Sequence, residues 1–188
     1  MLKILVTYAV QGEFTEIKWP DVEVYYVRTG IGKVKSAFHL SEAIQQVKPD
    51  IVINQGTAGT INHQVGDVFV CRQLGQEAIT GIAGCRFGPV LAKAPGSKQF
   101  RRINTVFHSQ SGHLMHIPID KMTDIEGDVV DMEAYAQAFV CRAKEIPFIS
   151  VKYVSDVIGQ NSVKHWEDRL EDARAGLSHF FNVLKESI

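Results

Sequence analysis

Two apolar segments, Val129–Ala134 (VVDMEA) and Val151–Gly159 (VKYVSDVIG), carry acids that a folded core cannot take in bare. Burying a carboxylate without a partner costs several kcal/mol, so the fold must bring polar groups or a ligand to those points. Glu133 stands at the mouth of a helix that is otherwise small and apolar (Ala134, Ala136, Ala138, Val140). Asp156 follows a run, Ile146 to Val154, that reads as a buried strand. Helix capping accounts well for Asp131 ahead of a helix from Met132, and Ser155–Asp156 could cap a following turn. It accounts for Glu133 only in part, through the helix dipole. Two carboxylates flanking one core strand therefore point to a polar ligand between them.

Strand and helix periods alternate along the chain, which predicts an α/β fold: a single three-layer domain over residues 1–188, with a mixed, largely parallel sheet flanked by helices. Leu2–Tyr8 and Val22–Val27 read as strands. Lys33–Val47 has helical spacing in Val34, Ala37, Phe38, Ala43, Ile44 and Val47, and Pro49 stops it. Ile51–Asn54 is a short strand of the kind buried on both faces, and Val65–Leu74 is a further strand region. The glycine-rich stretch from 75 to 127 predicts loops and short strands, with apolar pieces at Pro89–Ala92 and Ile103–Phe107. Met132–Lys144 is then a helix, Phe148–Val154 a core strand and Val163–Ile188 a terminal amphipathic helix. The stripe of that last helix (Trp166, Leu170, Ala173, Leu177, Phe180, Phe181, Leu184, Ile188) reads as core packing, and Trp19 as a packing residue too.

The bulk numbers exclude several classes. A chain of 188 residues can bury about 70% of its unfolded surface. Net charge is −1 with scattered basic residues, which offers no footprint for nucleic acid. No apolar run approaches a membrane span, and the N-terminus lacks signal-peptide anatomy. Cys71, Cys85 and Cys141 are odd in number and form no CxxC pair, which suits a reduced, cytoplasmic protein. His113 and His116 have HxxH spacing beside His108, but neither a further ligand nor an HExxH pattern accompanies them. No metal or cofactor is expected, and His108 could instead face a ligand.

Four segments place glycine or acid at a strand end: Gly12-Glu13, Thr29-Gly30-Ile31-Gly32-Lys33, Asn54-Gln55-Gly56-Thr57-Ala58-Gly59-Thr60 and Ser155-Asp156. Open α/β sheets bind ligands outside the carboxyl ends of their strands, where glycine lets the backbone approach closely. These residues, with Lys3-Ile4-Leu5, Val65-Gly66-Asp67 and Asp131-Met132-Glu133-Ala134, resemble the nucleoside phosphorylase/nucleosidase superfamily. Within it they resemble the 5′-methylthioadenosine/S-adenosylhomocysteine nucleosidases. The pieces occur in family order over nearly the whole chain.

The resemblance implies roles. Asp156 would protonate N7 of a departing purine, and Glu13 would bind and deprotonate the attacking water. Glu133 would hold the ribose hydroxyls, with Met132 against the sugar. Thr57, Ala58 and Gly59 would line the pocket and Phe107 would stack on the base. Asp131, Ser155 and Lys152 join the substrate-binding set, Lys152 standing where many relatives carry arginine. The stretch between Leu74 and Asp128 is shorter than is typical. Relatives are dimers or larger, so a homodimer is expected.

Chemistry agrees. Cleaving an N-ribosyl bond leaves an oxocarbenium-like sugar and an anionic base, so one carboxyl must neutralise the leaving group while another delivers water, from opposite sides of the sugar. The first glycine segment, Tyr8-Ala9-Val10-Gln11-Gly12-Glu13, has an acid and no arginine, which suits water and would repel phosphate. Arg28 and Arg72 read as surface residues, with a role as phosphate ligands as the alternative. The function that the resemblance implies is hydrolysis of a purine nucleoside, 5′-methylthioadenosine or S-adenosylhomocysteine, to free adenine. The alternatives are a phosphate-dependent phosphorylase and a protein that binds a nucleoside without turning it over.

Overall fold

The computed structural model describes residues 1–60, 63–71, 73–76, 85–86, 98–100, 103–105, 129–158 and 166–185. In chain order these form β1 (Leu2–Tyr8), β2 (Val22–Arg28), α1 (Lys33–Val47), β3 (Ile51–Thr60), β4 (Val68–Cys71) and β5 (Gln73–Gln76). There follow β6 (Cys85–Arg86), β7 (Lys98–Phe100), β8 (Ile103–Thr105), β9 (Val129–Asp131), α2 (Ala134–Ala143), β10 (Phe148–Val157) and α3 (Leu170–Lys185). A 3-10 turn, Gln11–Glu13, follows β1.

Strand β3 is the axis of the sheet. It runs parallel to β1 (Ile4 opposite Ile51) and to β10 (Phe148 opposite Val52), and β9 pairs antiparallel with its far end. Outside β1 lies β2, in parallel; outside β10 lies β4, antiparallel. The result is the mixed, largely parallel sheet that the alternating pattern predicts.

Side chains alternate between two cores. Leu5, Val52 and Val154 join Leu40 and Ile44 of α1 and Ala138 and Cys141 of α2 on one face. Ile4, Val6, Ile53 and Val151 meet Ala173, Leu177, Phe181 and Leu184 of α3 on the other. Helices on both faces make three layers. The stripe packs from Ala173 to Leu184 as its spacing predicts, while Trp166 lies ahead of α3, and Val163 and Ile188 lie outside the described residues.

Several boundaries differ from the sequence reading. The strand expected to end at Asn54 continues to Thr60, and the one expected to end at Val154 continues to Val157. Apolarity stops at those points, but the polar side chains beyond are partnered inside the protein. Ser150 Oγ donates to Asn54 Oδ1 (2.8 Å) and Asn54 Nδ2 to Thr7 Oγ1 (3.2 Å). Thr7 Oγ1 donates on to Gln137 Oε1 at 2.6 Å, and Gln55 Nε2 donates to the Thr15 carbonyl at 2.9 Å. A buried polar group that finds such partners does not end a strand. The segment Asn54–Thr60 is therefore strand, not a glycine loop.

The helix expected from Met132 starts at Ala134, because Glu133 is its non-helical N-cap (φ −131°) and Asp131 Oδ2 accepts the Ala134 N–H at 2.9 Å. Helix α1 ends as Lys48 turns left-handed (φ 51°) ahead of Pro49. The region Val65–Leu74 divides into β4 and the start of β5. Pro89–Ala92 lies outside the described residues.

Gly176 on α3 faces Tyr153 of β10, and a β-carbon there would sit 2.7 Å from the ring's Cδ2. A ring at that distance cannot yield without moving the helix. Gly176→Ala is expected to destabilise the protein by about 1–3 kcal/mol, read by urea unfolding. Unchanged stability would mean that α3 is not seated on the sheet as described.

Candidate active site

Glu13 is held from three directions. The turn carrying it lies against α3: a β-carbon on Gly12 would meet Leu170 Cδ1 at 2.7 Å, and Arg174 Nη1 donates to the Gly12 carbonyl at 3.1 Å. Its carboxylate is buried, and Oε1 accepts from both the Thr57 N–H (2.9 Å) and the Thr57 hydroxyl (2.5 Å). The Val10 N–H reaches Oε2 at a longer 3.4 Å. Glu13 lies so close to β3 because residue 56 is glycine: a β-carbon there would be 3.3 Å from Glu13 Oε1 and 3.3 Å from Lys152 Nζ.

Among the described residues, three carboxylates and one ammonium gather around that point. Lys152 Nζ pairs with Asp131 Oδ2 at 3.0 Å, both side chains fully buried. Glu133 Oε1 accepts the N–H of Gly32, the N-cap of α1, at 2.7 Å. Burial raises the Glu133 carboxyl most, and the Asp131 charge raises it further. Lys152 and the Gly32 N–H oppose, Glu13 adds to the rise, and the value stands at about 8. Burial alone would lower the Lys152 ammonium, but Asp131, Glu133 and Glu13 outweigh it, so Lys152 is held above the ordinary lysine value and stays charged. At neutral pH Glu133 thus keeps a proton that it can donate, while Lys152 balances Asp131.

Asp156 lies farther along the same strand pair. Val154 pairs with Ala58 but Asp156 pairs with Gly59, so Ser155 is an extra residue, a β-bulge. Side chains alternate along a strand, and one inserted residue re-aims those that follow. Asp156 is buried beside Gly59, whose absent β-carbon would sit 3.1 Å from Asp156 Oδ2. The Ser155 hydroxyl donates to Asp156 Oδ1 at 2.6 Å, with the Ala58 carbonyl 3.4 Å away.

Of the residues singled out in the sequence, Glu13, Thr57, Asp131, Glu133 and Lys152 come together at one end of the Gly56–Gly59 stretch. Ala58, Gly59, Ser155 and Asp156 form the other end. Met132 sits partly exposed between Asp131 and Glu133. Arg28 is exposed, as expected. Phe107, His108, His113, His116 and Arg72 lie outside the described residues.

Trp166, like Trp19, reads from the sequence as a packing residue alone. Its Nε1–H donates to Thr57 Oγ1 at 2.8 Å. The signal was available: a half-buried indole needs an acceptor as well as an apolar wall. Trp19 finds its acceptor in the Phe181 carbonyl, at 3.0 Å. Among the described residues no cluster of His, Cys, Asp and Glu could hold a metal ion.

The Glu133 shift has a measurable sign. Because its folded value, about 8, exceeds the ordinary 4.5, stability tied to this group is intact below pH 4.5 and lost as pH rises through 8. Glu133→Gln stays neutral and can still accept the Gly32 N–H. Its stability relative to the parent is expected to climb across that window and then level off, in urea titrations at stepped pH. A difference independent of pH would contradict the raised value.

Comparison with known proteins identifies the family and the fold. The family model of the phosphorylase superfamily matches residues 6–188. A curated relative from Bacillus velezensis, a 5′-methylthioadenosine/S-adenosylhomocysteine nucleosidase, is 28% identical over 197 residues, covering 92% of this chain and 85% of its own. Among solved structures, the nucleosidase of that name from Helicobacter pylori, with butyl-thio-DADMe-Immucillin-A, superposes with a TM-score of 0.82 at 15% identity. That match covers 100% of this chain and 99% of the other. A futalosine hydrolase mutant from the same organism gives 0.81 at 16%, covering both chains fully. Residues 6–188 account for both ends of the sheet and for every acid described above: the chain belongs to the phosphorylase superfamily.

Proposed function

We propose that this protein hydrolyses the N-glycosidic bond of a purine nucleoside, with Glu13 activating water and Asp156 as the general acid. One observation carries the reading. Two buried carboxyl groups flank a stretch of small residues on β3, Gly56-Thr57-Ala58-Gly59, with Glu13 at one end and Asp156 at the other. Three residues of extended strand span roughly 10 Å, which leaves room for a sugar and a water between base and acid.

In the reaction Glu13 takes a proton from water as its oxygen attacks C1′. The C1′–N9 bond breaks, its electron pair goes to the purine, and Asp156 supplies a proton at N7. Glu133 bonds the ribose hydroxyls and Met132 packs on the sugar. Thr57, Ala58 and Gly59 line the pocket. Asp131, Lys152 and Ser155 hold these groups in place. The acidic surroundings of Glu13 favour water over phosphate as the nucleophile. The relatives' names supply the 5′ substituent to try: methylthioadenosine and S-adenosylhomocysteine, releasing adenine.

The same reading includes a homodimer. Val34 and Phe38 of α1 and Phe139 of α2, helices that pack together, are 85%, 59% and 58% exposed. Ile31 adjoins them, next to the Gly32 that holds Glu133. Large apolar side chains left exposed on two helices that pack together fit a subunit interface. A reduced cytoplasmic setting suits the free, buried Cys141.

Incubation with methylthioadenosine is expected to release adenine equally with and without phosphate. Release that requires phosphate would replace hydrolysis by phosphorolysis, and nucleoside-dependent thermal stabilisation without product would indicate a binding protein. Asp156→Asn should lower kcat by about 10²–10⁴ with an unchanged unfolding midpoint. A variant that retains full turnover removes Asp156 from the chemistry. Phe38→Glu is expected to convert a dimer to a monomer in analytical ultracentrifugation, and a parent protein already monomeric would refute the interface.

A further inference from the structure

We propose that Trp166 is a positioning residue for water activation, acting on Glu13 through the Thr57 hydroxyl; the inference rests on the hydrolytic reading of that site. A threonine hydroxyl has one proton to give and two lone pairs, whereas an indole N–H can only donate. Trp166 Nε1 lies 2.8 Å from Thr57 Oγ1, so the oxygen accepts there and its own proton must go elsewhere. Glu13 Oε1, at 2.5 Å, receives it. The indole thus fixes the direction of the second hydrogen bond.

The consequence falls on the carboxylate. Glu13 Oε1 takes both the Thr57 hydroxyl and the Thr57 N–H, while Oε2 meets the Val10 N–H only at 3.4 Å. The carboxylate is therefore polarised, with Oε2 as the oxygen disposed to take a proton from water. A hydrogen-bonded chain of this kind strengthens each member in a low-dielectric interior.

Packing does not require the indole nitrogen. Trp166 stands on the helical turn 166–168 ahead of α3, at the end of an apolar stripe that a phenylalanine ring would continue. Trp19 provides an internal control, since its N–H ends on a main-chain carbonyl of α3.

The test uses the full chain and methylthioadenosine. Trp166→Phe is expected to lower kcat about tenfold with KM within about twofold, since positioning supplies part of a general base's effect. Trp19→Phe should leave kcat unchanged. Thr57→Val should lose at least as much as Trp166→Phe, and the double variant no more than Thr57→Val alone, because the two act through one bond. A second measurement does not depend on turnover. The chain has two tryptophans, hence two indole N–H peaks in a nitrogen-15 spectrum. Thr57→Val and Glu13→Gln should shift the Trp166 peak and leave the Trp19 peak in place.

Wild-type kcat in Trp166→Phe, additive losses in the double variant, or an unmoved Trp166 peak in Thr57→Val would each overturn the proposal. If Trp166→Phe does not fold, the Thr57→Val spectrum decides. If the parent releases no adenine, the hydrolytic reading fails, and the indole spectrum still reports on the relay.

Discussion

The pairing of β3 with β10 underlies everything else in this molecule. These two ten-residue strands run side by side through the centre of the sheet, and each supplies polar groups to one working region. Lys152 stands opposite Gly56, and Asp156 opposite Gly59. Glycine at those two positions lets carboxylates come up against the main chain. The outer elements then deliver what the pair lacks. The turn after β1 brings Glu13, the β9–α2 junction brings Asp131 and Glu133, and the approach to α3 brings Trp166.

Charge is the second constraint. Among the described residues three carboxylates and one ammonium share a buried volume, and they cannot all be ionised without severe repulsion. The cluster resolves this by role. Asp131 caps α2 and pairs with Lys152, Glu13 is solvated by threonine and main-chain donors, and Glu133 carries a proton. One buried salt bridge thus joins the start of a helix to the middle of a strand. Losing either partner would leave an uncompensated charge where water cannot reach.

Much of this was legible in the sequence, and the rest was hidden for identifiable reasons. The bounds of α1 were readable because its apolar spacing and Pro49 agree. The acids stood out because VVDMEA and VKYVSDVIG are otherwise core-like. The ends of β3 and β10 were not readable. Gln55, Thr57 and Ser155 look like loop residues until their partners in Thr15, Glu13 and Ala58 are seen, and those partners are far away in the chain. Likewise a tryptophan in an apolar stripe declares its ring but not where its N–H points. Long-range polar pairing was the missing information, not local propensity.

The extra residue at Ser155 makes the chemistry depend on chain length as well as on residue type. A regular ladder through that point would keep the strand and turn the following acid toward the opposite layer. Substitutions along β10 leave its phase intact, whereas adding or removing a single residue upstream of Asp156 would shift the frame of the strand. The position of the Asp156 carboxyl is in that sense a matter of counting, set by where alternation is interrupted.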